Sequence, residues 1–416
     1  MSLKSLPSNP LCPSNREPWV DALRALALLG VFVVNAMGYP FAPDFPIYAG
    51  VPNPVDSPIA LVLNSVLIVF ALGKAWPLLC LLFGYSLCMM ALKLRAQSLK
   101  VNSIIRKRYF KLLLVGIIHG LFVYFGDILT MYAICGLLVT GLVLKRPAKV
   151  LKVWKWLGMI NIAMLLPILI SWMALLLSAQ SFESATNISD EINLNAGKFF
   201  KESNILIFLT INAEAYLNQL TATLYIVLLV FWLMLSGILI CRFRLFSDRI
   251  YAQNFWKKHL GKIQLFLAIL LNISLGILSS KTYSDSVLHT NKLLVVSMMV
   301  LPAGIWLIAT LMAAGMRQRH RLSRLPDWML WLAPAGRHTL AMYLTLSFSL
   351  LVTSGAFLNI QGSTVIRLAV VLSAWMCAVY VAKLASKRGL KDPIAGWISS
   401  NSISNTSSHS SKTREN

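Results

Sequence analysis

The sequence predicts an all-α polytopic membrane protein, and three observations carry that prediction. Of 416 residues, 57% are hydrophobic and 13% are charged, about half the charged share of an average soluble domain. Mean hydropathy is +0.69. Apolar stretches nearly free of charge recur at or above the roughly 18 residues needed to cross a bilayer core. The same figures exclude a disordered chain, a coiled coil and an ordinary soluble enzyme. The lipid bilayer is therefore the first expected partner.

Ten segments read as spans: 20–38, 74–92, 111–126, 128–144, 156–178, 221–241, 263–280, 293–315, 338–357 and 364–385. A further apolar piece, 58–72, lies too close to the second span to cross by itself. Gly73-Lys74 and Trp76-Pro77 break it from that span, so it reads as a half-membrane or interfacial helix.

The net charge of +23, from 38 basic against 15 acidic residues, would suggest nucleic acid in a soluble protein. Here the basic residues sit in short clusters between apolar runs, and nucleic acid is not expected. With the N-terminus inside and the spans alternating, 30 of the 38 basic residues fall on the cytoplasmic side. Only Lys198, Lys201, Lys281 and Lys292 fall outside. That bias predicts an N-in, C-in topology. It also keeps 58–72 from crossing, because a crossing there would move the seven basic residues of 93–111 outside.

The chain divides into three regions. Residues 1–18 form a polar, Pro-containing cytoplasmic N-terminus with no signal-peptide pattern. Residues 19–390 form the membrane domain, with an external loop at 179–220 expected to hold short amphipathic helices on the membrane surface. Residues 391–416 form a Ser-rich tail expected to be disordered. The six cysteines show neither CxxC nor a framework spacing, and no His/Cys cluster has metal-ligand spacing. No metal and no resident cofactor is expected.

Ionisable residues inside a span are costly, and each is a candidate for function. Arg24 lies in the first span, three residues after Asp21, and the two can pair on one face. Asn35 follows Arg24 by eleven residues, which returns it to within roughly 20° of the same face about 16 Å further out. Lys74 sits at the outer start of the second span, where basic residues are otherwise sparse. It reads equally as an interfacial anchor beside Trp76. His119 lies mid-span between Gly116 and Gly120, small residues that admit a close neighbour. A neutral imidazole there is a candidate general base or proton relay, or simply a packed residue. Asp127 closes the same stretch and also suits the N-cap of the next helix. On a straight helix it lies about 12 Å and 80° from His119, so a direct bond needs a break in the helix. Arg337, after Pro334-Ala335-Gly336 at the head of the ninth span, suits either a phosphate or a positive-inside anchor.

Four segments carry a resemblance to a known family. VDALRALALLGVFVVN (20–35) resembles the LDALRGLALLGILLVN opening of the YeiB-like family of bacterial inner-membrane proteins, a domain of unknown function. GKAWPLLCLLFGYSL (73–87) is similar to its GKFWTLFSLLFGAGF segment. RKRYFKLLLVGIIHGLFVYFGDILTMYAICGLL (106–138) is similar to its Arg-rich start, mid-helix His and Gly-Asp-Ile-Leu. PAGRHTLAMYLTLS (334–347) resembles its GRMALTNYLLQS. Order and spacing agree over about 20–390. The chain departs at Ala25, where the family has Gly, and at Met342 and Leu346, where it has Asn and Gln. Ala395 lies in DPIAGWIS, where the family carries a Glu.

Arg24, Asn35, Lys74, His119, Asp127 and Arg337 match the family pattern. The resemblance implies a bacterial inner-membrane location. It also implies a distant likeness to transmembrane acyltransferases, which move an acyl group from cytoplasmic acyl-CoA to an acceptor across the membrane. In one branch of those enzymes an Arg on the first helix is followed eleven residues later by a His. Asn35 holds that place here, and an amide cannot act as a base.

Three functions compete on this reading. In an acyltransferase, Arg24 and Arg337 draw the CoA phosphates and His119 deprotonates an acceptor, an envelope glycan or a small molecule. Asn35 or Lys74 then stabilises the oxyanion. In a transporter of a small anionic molecule, the same residues line an alternating-access path with His119 as relay. In a non-catalytic assembly or stress partner, His119 and Asp127 are dispensable.

Overall fold

The computed structural model describes residues 17–38, 58–177, 205–222, 224–247, 250–281, 288–319, 325–353 and 364–400. All regular structure in them is α-helical.

α1 (Pro18–Gly38) opens with a proline in its first turn and Asp21 near its positive end, both favourable there. α2 (Pro58–Phe70) has 13 residues, about 20 Å of rise against a bilayer core of about 30 Å. The short helix expected at 58–72 is therefore present and cannot cross alone. Gly73, at φ +71°, turns the chain into α3 (Ala75–Ala96). A side chain there is doubly disfavoured: the conformation is left-handed, and a Cβ would sit 2.7 Å from the carbonyl oxygen of Val300.

α4 (Val101–Phe122) and α5 (Leu129–Thr140) form a hairpin. Next come α6 (Pro147–Leu177), α7 (Ile205–Ala222) and α8 (Leu224–Arg242). At the centre α3 packs along α8, with Gly84 against the Met234 backbone and Gly237 against the Leu81 carbonyl. Small residues at such a crossing let two backbones approach. α9 (Ile250–His259), α10 (Lys262–Lys281) and α11 (Leu288–Arg319) follow. α10 packs on both α11 and α2. α12 (Asp327–Arg337), α13 (Thr339–Thr353), α14 (Thr364–Lys387) and α15 (Pro393–Ser400) complete the order. α1 lies among α3, α12, α13 and α14, which explains why Ala22, Ala25, Leu28 and Phe32 are buried.

Among the described residues, four helices are long and apolar enough to cross a bilayer: Pro18–Ala36, Ala75–Ala96, Met299–Gln318 and Leu368–Lys387. A pair bent by 54°, Ile250–Lys258 with Lys262–Gly276, would make a fifth. That is fewer than the ten spans expected. α5 has 12 residues, about 18 Å, and α13 has 15. α4 gives its first half to the basic cluster Arg106-Lys107-Arg108 and Lys111.

Other boundaries differ as well. The Pro334–Arg337 stretch, expected to lead into the ninth span, instead closes the short helix α12, and His338 stands at the break before α13. Gly336 explains this: it lies flush against the backbone of Asp21, docking α12 on α1. Part of the expected surface loop forms α7, with Phe208 and Tyr216 buried and its packing on α4; residues 179–204 lie outside the described residues. Within the expected disordered tail, residues 393–400 form α15. Its start is capped by the buried Asp392, whose Oδ1 accepts from the amides of Ile394 and Ala395 (3.0 and 2.9 Å) and whose Oδ2 accepts from Ala341 on α13 (3.1 Å). Lys111 of α4 donates to the carbonyl of Trp397 at 3.0 Å. Its ammonium lies 5.0 Å from that residue's ring centre.

Candidate functional site

His119 and Asp127 meet. Nδ1 of His119 lies 2.9 Å from Oδ1 of Asp127, with 2% and 0% of the two side chains exposed. The break that a straight helix lacks is present here. α4 stops at Phe122, and the amides of Val123 and Tyr124 both fold back onto the carbonyl of His119 (2.8 and 2.9 Å). The chain then loops back to Asp127 before α5 begins.

Asp127 also caps α5, as its residue type suggests. Its Oδ2 accepts from the amide of Thr130 at 2.7 Å. The cap and the bond to histidine thus use different oxygens of one carboxylate. Thr130 continues outward: its hydroxyl lies 2.9 Å from that of Tyr216 on α7. The two glycines flanking His119 face these neighbours. A Cβ on Gly116 would lie 2.6 Å from the Thr130 nitrogen, and one on Gly120 would strike the Tyr216 ring. Asn212, one turn before Tyr216, ties off the broken end of α4. Its amide nitrogen donates to the carbonyls of Gly120 and Leu121, both at 2.8 Å, and its oxygen accepts from the amide of Phe125, also at 2.8 Å.

With Asp127 ionised, Nδ1 carries the proton and Nε2 holds a lone pair. Nε2 is buried and has no hydrogen-bond partner among the described residues. Beside it stands the ring of Tyr343 on α13, 5.1 Å away between centroids and tilted by 46°.

Arg24 and Arg337 also converge, on a second group at the other end of α1. Arg24 bonds both Asp21 and the hydroxyl of Ser86 on α3. The second oxygen of Asp21 lies 3.6 Å from Nε of Arg337. The carboxylate side chain is 1% exposed and the two guanidinium side chains are 14% and 45% exposed. One buried acid thus organises two cations, the outer of which faces open space.

Lys74 is 5% exposed at the head of α3, so it is no exposed interfacial anchor. Gly304 lies against it, where a Cβ would come within 3.3 Å of its Cγ. Asn35 is half-buried on the C-terminal part of α1. Gly30, five residues earlier, packs against Ala75 and so places that part of α1 beside the head of α3. Tyr132 ties this region to α5, donating to the carbonyl of Trp76 at 3.2 Å.

The sequence reading missed Thr130, Asn212, Tyr216, Tyr343 and Ser86. Only Thr130 carried a local signal, its position three residues after a capping Asp. The others reach the site from helices distant in sequence.

Compared with models of protein families, with curated proteins and with solved structures, the chain matches none. What stands is an all-helical protein with several candidate membrane spans, and a buried His–Asp pair at a helix break.

Proposed function

We propose that this chain is a multi-span protein of a bacterial cytoplasmic membrane, N-in and C-in, that moves an acyl group from cytoplasmic acyl-CoA to an acceptor on the far side. The observation that carries the proposal is the buried bond between His119 Nδ1 and Asp127, which leaves Nε2 as an oriented base. The distribution of basic residues supports the topology. The resemblance of segments 20–35, 73–87, 106–138 and 334–347 to the YeiB-like family supports the location and the reaction class.

In this reading Nε2 takes the proton of the acceptor as its oxygen attacks the thioester carbonyl. Asp127 stabilises the imidazolium that forms. The tetrahedral intermediate collapses with cleavage of the C–S bond, and His119 returns the proton to the departing thiolate. Lys74 and Asn35, at the adjoining ends of α3 and α1, are the groups proposed to meet the oxyanion. Arg24 and Arg337 receive the phosphates of CoA, a role suited to guanidinium geometry.

The test is acyl-CoA binding and turnover by the purified protein in detergent, beside Arg24→Ala and His119→Ala. The expected result is binding lost in the first variant, with turnover alone lost in the second. A folded wild type that binds no acyl-CoA refutes transfer from CoA. Transport of a small anion through the same polar residues would then be tested by uptake into vesicles. Unchanged function in both variants would instead indicate a non-catalytic membrane partner.

A further inference from the structure

Two neighbouring rings each bury a polar atom that no described residue satisfies. One is Nε2 of His119 and the other is the hydroxyl of Tyr343, whose residues are 2% and 4% exposed. The backbone of Ile128, the hydroxyl of Ser347 and the carboxylate of Asp127 lie near the phenol, yet its hydroxyl makes no hydrogen bond of ordinary geometry with a described residue. A buried polar atom left unsatisfied costs about 1–3 kcal/mol. Two side by side, on helices α4 and α13, mark a place for a ligand that satisfies both.

The two atoms ask for different things. Nε2, with Nδ1 committed to Asp127, can only accept. The Ile128 backbone amide and the Ser347 hydroxyl stand on the acceptor side of the phenol oxygen, which leaves its O–H to donate. A hydroxyl group answers both at once, since its O–H donates to Nε2 and its oxygen accepts from Tyr343. An alkylammonium has no lone pair for the phenol, and an ether or carbonyl has no proton for Nε2.

We infer that His119 and Tyr343 together form a neutral-alcohol site, with Tyr343 the residue that selects a hydroxyl over an amine. This rests on the transferase reading for its meaning, and names the acceptor class for that reaction. Tyr343 would hold the acceptor oxygen while Nε2 takes its proton, and the oxygen lone pair then attacks the acyl carbon as the C–S bond breaks.

The experiment needs no acyl donor. Protein carrying ¹⁵N-labelled histidine imidazoles is placed in nanodiscs. The Nε2 resonance of His119, assigned by its loss in His119→Gln, is followed at pH 7 during titration with n-butanol, n-butylamine or methyl propyl ether. The expected result is a saturable shift with the alcohol only. In Tyr343→Phe the midpoint should rise about fivefold to tenfold, the value of one hydrogen bond. A wild-type resonance that ignores the alcohol, or responds equally to the amine, overturns the inference without recourse to any variant. Equal midpoints in wild type and Tyr343→Phe remove Tyr343 from the site. Alcohol binding in a protein that turns over no acyl-CoA would uphold the site and reject the transferase reading, so the two fail separately.

Discussion

Replacing Asp127 by Asn tests the centre of the mechanism, because the two oxygens of Asp127 have separate duties. Oδ2 accepts the Thr130 amide at 2.7 Å and Oδ1 meets His119 Nδ1 at 2.9 Å. Asparagine has one oxygen and one NH2. Turning the NH2 toward Thr130 would set donor against donor in a buried place, at about 1–3 kcal/mol. The oxygen therefore stays on Thr130 and the NH2 faces His119. Nδ1 must then accept, so the imidazole proton moves to Nε2 and the base is lost. The cap survives, and the stability cost should be about 1 kcal/mol, the exchange of a charge-assisted bond for a neutral one. Turnover should fall on the order of 10⁴-fold, the size of a carboxylate-to-amide change that fixes the wrong tautomer in a hydrolytic triad. Imidazole ¹⁵N spectra report the tautomer directly, and CoA release reports the rate. An unchanged tautomer, or turnover within threefold of wild type, would refute this account.

Three further outcomes rest on individual contacts. Asn212→Ala strips partners from two carbonyls and one amide at the end of α4, so hydrogen exchange at the Phe125 amide should rise at least tenfold, about 1.4 kcal/mol of local opening; unchanged exchange would deny α7 its role as a brace. Gly336→Ala drives a methyl into the Asp21 backbone, and overpacking of this kind costs about 1–3 kcal/mol, to be seen as a lower Tm, whereas an unaltered Tm would mean α12 docks more loosely on α1. Arg337→Ala, which removes the more exposed of the two guanidiniums beside Asp21, should weaken acyl-CoA binding less than Arg24→Ala does, and calorimetry showing the reverse order would misplace the phosphate port.

The helical class and several candidate spans were legible because long apolar stretches show in the composition, whereas the expected count of ten was not met among the described residues. What escaped was where helices stop. The end of α4 at Phe122 leaves no proline to signal it; it arises because Asn212, about ninety residues later, satisfies the freed backbone groups. The 8-residue spacing of His119 and Asp127 therefore looked prohibitive on a straight helix and is direct on a broken one. Arg24 and Asp21 were legible as an i, i+3 pair. The approach of Arg337 was not, because it depends on Gly336 seating α12 against α1. Both glycines beside His119 announced a close neighbour, but its identity as Thr130 and Tyr216 lay in tertiary packing.

The bond from Lys111 to Trp397 joins residues 286 positions apart, and it has a consequence for how the protein is made. At about 5–20 residues per second, the ribosome completes α4 roughly 15–60 s before α15 exists. During that interval Lys111, on the helix that carries His119, lacks its partner Trp397, and α13 has yet to receive the bond from Ala341 to Asp392. A chain stopped between α14 and α15 would contain both residues of the His–Asp pair and lack the Trp397 partner of Lys111. Synthesis therefore imposes an order in which the His–Asp pair is made early and the contact between Lys111 and Trp397 last.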